Sequence, residues 1–71
     1  MTVMLEMRAA HGRLDELIAF VRAHANGEAQ LYRSADGPAR VVVIDPSGHG
    51  IPYVPPELLA RPPHQWTFEP I

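Results

Sequence analysis

His49 stands between two glycines in Gly48-His49-Gly50, where a free backbone could aim an imidazole, the side chain that serves most often as a general base near neutral pH, at a bound molecule. Tyr32 and Tyr53 carry hydroxyls able to donate to a carbonyl, and Arg33 could clamp a developing oxyanion. Trp66 and Phe68 would form the apolar wall of a pocket for a flat substrate, with the indole N–H as a further donor and His64 two residues before it. On residue type, His49 and Tyr32 are the candidate catalytic groups, and Trp66, Phe68, Tyr53, Arg33 and His64 the candidate substrate contacts. Each has a plainer alternative: a solvated loop histidine, tyrosines satisfied by backbone, core or subunit-contact aromatics, and an arginine at the charged rim of a strand end.

Other chemistries find less support. None of His11, His24, His49 and His64 has the i, i+4 or H-x-E spacing that makes metal ligands converge, and there is no cysteine, so no metal or cofactor is expected. No helix start follows Gly48-His49-Gly50 to supply the aligned amides of a phosphate loop. Ser34 and Ser47 sit beside turns with no nucleophile motif around them.

These side chains must be placed by one small domain spanning residues 1–71. Its formal charge of −2, with all six basic side chains arginine, gives no field strong enough to gather phosphates, so nucleic acid is not expected as a partner. Neither a leader-like start nor an apolar run able to span a bilayer is visible; the expectation is a cytoplasmic protein with no membrane partner. The use of Arg over Lys, with abundant Ala, Pro and Gly, fits a GC-rich bacterial genome. A chain of 71 residues buries only about 60% of its unfolded surface, and disulfides are excluded. Self-association is the remaining source of stability, and 46% hydrophobic residues suit a surface that a partner covers.

The order of elements follows from periodicity. Val3, Leu5 and Met7 alternate with Thr2, Glu6 and Arg8 as in a half-buried strand. Leu14, Leu17, Ile18, Val21 and Ala25 fall at helical spacing, which predicts a helix from Gly12 to Ala25, with Asp15 and Glu16 in the first turn and Asn26-Gly27 as a left-handed end. Strands are predicted over Glu28 to Ser34 and Arg40 to Ile44, joined by a hairpin turn at Asp36-Gly37. Val41-Val42-Val43-Ile44 is apolar on both faces, hence a central strand with the helix on one side and something apolar, a second subunit, on the other. The prolines Pro55, Pro56, Pro62 and Pro63 leave room for one helical turn over Pro56 to Ala60, before a last strand from Gln65 to Glu69.

The strand Thr2 to Arg8, the helix opening Gly12-Arg13-Leu14-Asp15-Glu16-Leu17, the hairpin and the closing Ala60-Arg61-Pro62-Pro63-His64-Gln65-Trp66-Thr67-Phe68-Glu69 together resemble the antibiotic biosynthesis monooxygenase-like superfamily. The resemblance implies an α+β, ferredoxin-like β-α-β-β-(short helical turn)-β antiparallel sheet with one main helix, pairing as a homodimer into a dimeric α+β barrel. It also implies cofactor-independent oxygenation, cyclisation or isomerisation of a planar polyketide-like or phenolic molecule in secondary metabolism. The alternative is a noncatalytic dimeric binding or accessory protein on the same scaffold. The chain departs from that group in lacking a full second helix, which predicts one thinly covered side of the sheet. None of the group's catalytic positions matches this chain, and the substrate is expected between the helix and the sheet, lined by Trp66, Tyr32 and His49.

Overall fold

A computed structural model describes all residues from Met1 to Ile71. The elements run β1 (Thr2–Arg8), α1 (Leu14–His24), β2 (Gln30–Arg33), β3 (Arg40–Asp45), a single 3₁₀ turn at Pro56–Leu58, and β4 (His64–Phe68). The four strands make one antiparallel sheet in the order β2-β3-β1-β4, with the long strands β1 and β3 at its centre. One helix on a four-stranded antiparallel sheet is an α+β architecture compatible with a ferredoxin-like fold.

The register sorts the side chains into two faces, since successive residues of a strand point opposite ways. Val3, Leu5 and Met7 of β1 lie on the same side as Val41, Val43 and Asp45 of β3, and all six are buried. Leu17 and Val21 of α1 pack onto that side, and Met7, Leu17 and Val43 are wholly inaccessible. Deleting any of them leaves a cavity that the neighbours fill only in part. The other face carries Met4, Val42 and Ile44, with Trp66 opposite Met4, Phe68 opposite Thr2 and Tyr32 opposite Val42. No element of the chain crosses it.

The core side is better covered than the missing second helix suggests. Residues beyond β3 send Ile51, Val54 and Leu58 into the core cluster, so an irregular proline-rich segment does the covering that a helix would do. Its backbone is tied to the end of β1: Ala10 donates to the Leu58 carbonyl, Ala60 donates to the Arg8 carbonyl, and Ala9 bridges to Leu59. The expected thin cover is confined to β4, whose core-side residues Gln65 and Thr67 are exposed.

The Asn26-Gly27 helix end also differs. Ala25 leaves α1 in an extended conformation, and Gly27 has no positive φ. The chain turns instead because the Asn26 side chain accepts a hydrogen bond from the Glu28 amide and the Asn26 carbonyl accepts one from Ala29. That turn delays β2, which begins at Gln30. At the hairpin Gly37 does take a left-handed φ of 68°, as the Asp-Gly pair suggests. Ser34 closes the loop by donating to the Pro38 carbonyl and accepting from the Arg40 amide.

Candidate functional site

Three regions hold most of the side chains singled out in the sequence. The first is the loop after β3. Asp45 ends that strand on the core side with no accessible surface, and its carboxylate organises the chain that follows. One oxygen accepts from the Ser47 amide at 2.9 Å and the Ser47 hydroxyl at 2.6 Å, and the other accepts from the Gly50 amide at 2.9 Å. The Ser47 hydrogen bond, helped by the two amides and the nearby His49, holds the Asp45 carboxyl below its ordinary pKa against the opposing effect of burial.

His49 places Nδ1 2.8 Å from the Ser47 hydroxyl oxygen. Ser47 has one proton and gives it to Asp45, so the imidazole is the donor in that contact. Activating a serine needs the reverse, a histidine that accepts the hydroxyl proton. The Asp45-Ser47-His49 chain is therefore a loop clasp. Gly48 and Gly50 permit it: both have positive φ, and a Cβ on Gly48 would come within 2.8 Å of the Met1 carbonyl oxygen.

A groove between α1 and β2 forms the second region. It has a volume of about 250 Å³ and is lined by Ile18, Val21, Arg22, Leu31, Tyr32, Arg33 and Val41. Leu31 and Arg33 face α1 because they stand opposite the core residues Val43 and Val41. Tyr32 and Arg33 are thus near the expected position between helix and sheet. Trp66 is not, because it lies on the opposite face of the sheet, nor is His49, whose loop runs beside Val3 and Gln65 at the other end of the strand order. No histidine or carboxylate lines the groove.

The third region is the open sheet face. Trp66, Phe68 and Tyr32 are about half exposed there, beside half-buried Met4, Val42 and Ile44. At one end of this apolar field sits Glu6, whose side chain is only 15% exposed. Its carboxylate meets Arg61 at 2.7 Å, Arg40 at 3.5 Å and the His64 Nδ1 at 3.7 Å. His64 stands edge-on to Trp66, with centroids 5.8 Å apart. Arg8 is on the same face directly opposite Arg40, and its Nε is buried with no hydrogen-bond acceptor. Tyr53 belongs to none of the three regions; it is exposed on the loop before the 3₁₀ turn. The four histidines lie on separate elements, and nowhere do three ligand-type side chains converge.

Of the candidates, the structure gathers Trp66, Phe68, His64 and Tyr32 on one face and separates Arg33, His49 and Tyr53 from them. The Glu6 cluster was not foreseen. Its one sequence signal is a carboxylate in the middle of a mostly apolar strand, and its partners come from two distant segments, Arg40 and Arg61 to His64, that only strand pairing unites. No protein-family model matches the chain, and no curated protein or solved structure matches it closely enough to establish kinship.

Proposed function

We propose that the protein is a noncatalytic binding or accessory protein that works as a homodimer, with the open sheet faces of two copies stacked on one another. The observation that carries this reading is the contrast between the two faces. One is filled by α1 and the proline-rich segment, whereas the other presents Met4, Val42, Ile44, Trp66 and Phe68 with nothing over them. An antiparallel sheet can leave one face to solvent, but that face then reads polar; an apolar and aromatic one marks an interaction surface. A second copy is the partner that a short, cysteine-free chain needs for stability.

The oxygenase or cyclase reading needs a base and an oxyanion donor facing one enclosed cavity. His49 is engaged in the loop clasp away from the α1–β2 groove, and the groove offers apolar side chains, the guanidinium groups of Arg22 and Arg33 and the Tyr32 phenol without a histidine or carboxylate to act as base. Those placements favour binding over turnover. Native mass spectrometry of the purified protein is the test, with a dimer expected; a monomer at micromolar concentration overturns the reading. Oxygen uptake with a dihydroxynaphthalene should stay at the protein-free rate, and uptake abolished by His49→Ala would overturn its noncatalytic part.

A further inference from the structure

The basic end of the open sheet face contains two arrangements that isolated proteins avoid. Arg8 and Arg40 are direct cross-strand neighbours, and like charges in that position repel. The Arg8 Nε–H is buried with no acceptor, whereas nearly all buried polar groups have one. Glu6 relieves only part of this. Its two oxygens are taken by Arg61 and Arg40, with His64 close by, and Arg8 has no ion pair at all. Two guanidinium groups thus share one carboxylate while a third has none, on a chain whose overall charge is −2. A second anion between Arg8 and Arg40 relieves the like-charge opposition, and a small turn of the Arg8 side chain brings its buried Nε–H into the planar fork that a carboxylate or phosphate fits with two parallel hydrogen bonds.

We infer that this corner, formed by Arg8, Arg40, Arg61 and His64 around Glu6, binds a small organic oxyanion, a carboxylate or phosphate monoester, whose apolar part lies against Trp66. The aromatic wall is in place: Trp66 stands opposite Met4, two positions from the Glu6–His64 pair on the same face, and remains 43% exposed. The site lies at one end of the strands, so in a stacked dimer it falls at the rim of the interface. It does not require that dimer.

Trp66 is the only tryptophan, so its fluorescence reports occupancy. The probes are inorganic phosphate, phenyl phosphate and benzoate, each against sodium chloride at equal ionic strength, with oligomeric state followed by native mass spectrometry. A saturable response is expected, at least tenfold tighter for phenyl phosphate than for inorganic phosphate; comparison with benzoate identifies the preferred head group. Arg8→Gln should weaken it tenfold or more, while Arg13→Gln, on the exposed start of α1, leaves it unchanged. Should Arg8→Gln fold poorly, Arg40→Gln carries the same expectation. A response matched by sodium chloride, or retained in both corner variants, overturns the site. So does an Arg8→Gln variant that shifts the monomer–dimer balance while no probe binds to the wild type, because Arg8 then answers to the other copy. A saturable response in a monomer supports the anion site while removing the dimer.

Discussion

Asp45 is a fully buried carboxylate whose environment decides its charge. Burial favours the neutral acid, but the Ser47 hydroxyl at 2.6 Å and the amides of Ser47 and Gly50 favour the anion more, and its pKa falls. A pKa lower in the folded than in the unfolded chain means that the native state holds its proton more weakly. The resulting stability is present above the ordinary carboxylate value and is lost as pH falls through the depressed native one. Thermal stability should thus decline below about pH 4. Asp45→Asn should lower stability at pH 7 by about 2 kcal/mol, because an amide cannot accept all three hydrogen bonds. The gap between wild type and variant should narrow as the solution is acidified. A gap constant from pH 7 to pH 3, by thermal melts of both proteins, would show that the Asp45 charge does not support the loop. Little in the sequence warned of this residue, since an aspartate ending a strand before Pro-Ser-Gly reads first as a turn former, yet Asp45 is fully buried.

At the scale of elements, periodicity and prolines marked out the strands and the helix. Alternation in Val3, Leu5 and Met7 and helical spacing in Leu17 and Val21 placed β1 and α1 with their buried faces correct. The segment from Pro46 to Leu59 was opaque because Ile51, Val54 and Leu58 fall at the i, i+3, i+7 spacing of a helix that Pro52, Pro55 and Pro56 forbid, yet all three are buried without one. Helix ends were also illegible where two turn mechanisms compete, as at Asn26, whose side chain caps Glu28 in place of a left-handed glycine. The covering role of the proline-rich segment is testable. Ile51→Ala should cost about 2–4 kcal/mol, as a buried large-to-small change does, while the neighbouring exposed Pro52→Ala should cost well under half as much. Equal costs in urea denaturation would mean that the segment drapes over the core without sealing it.

At the scale of the molecule, the question is what the second face of the sheet is for. The molecule measures 38 × 23 × 19 Å, and its thin dimension spans one helix layer on one sheet. A standard interface takes about 800 Å² from each partner, roughly a sixth of this chain's 4785 Å², and the apolar part of the open face is the surface best suited to supply it. Neighbouring residues of β3 separate the two roles, because Val43 faces the core with no accessible surface and Val42 faces outward beside Tyr32 and Glu6. An aspartate at Val43 buries an unpaired charge in the core and should abolish folding. An aspartate at Val42 remains hydrated in the isolated subunit and loses its water only if another copy covers it. Val42→Asp should therefore keep the far-ultraviolet circular dichroism of the wild type while shifting the native mass spectrum from dimer to monomer. Ile44→Asp, one pair further along the same face, should do likewise. If both variants remain folded dimers, the sheets do not stack, and the second copy must dock elsewhere; if Val42→Asp unfolds like Val43→Asp, the subunit has no stability apart from its partner, and dissociation must be measured by dilution of the wild type.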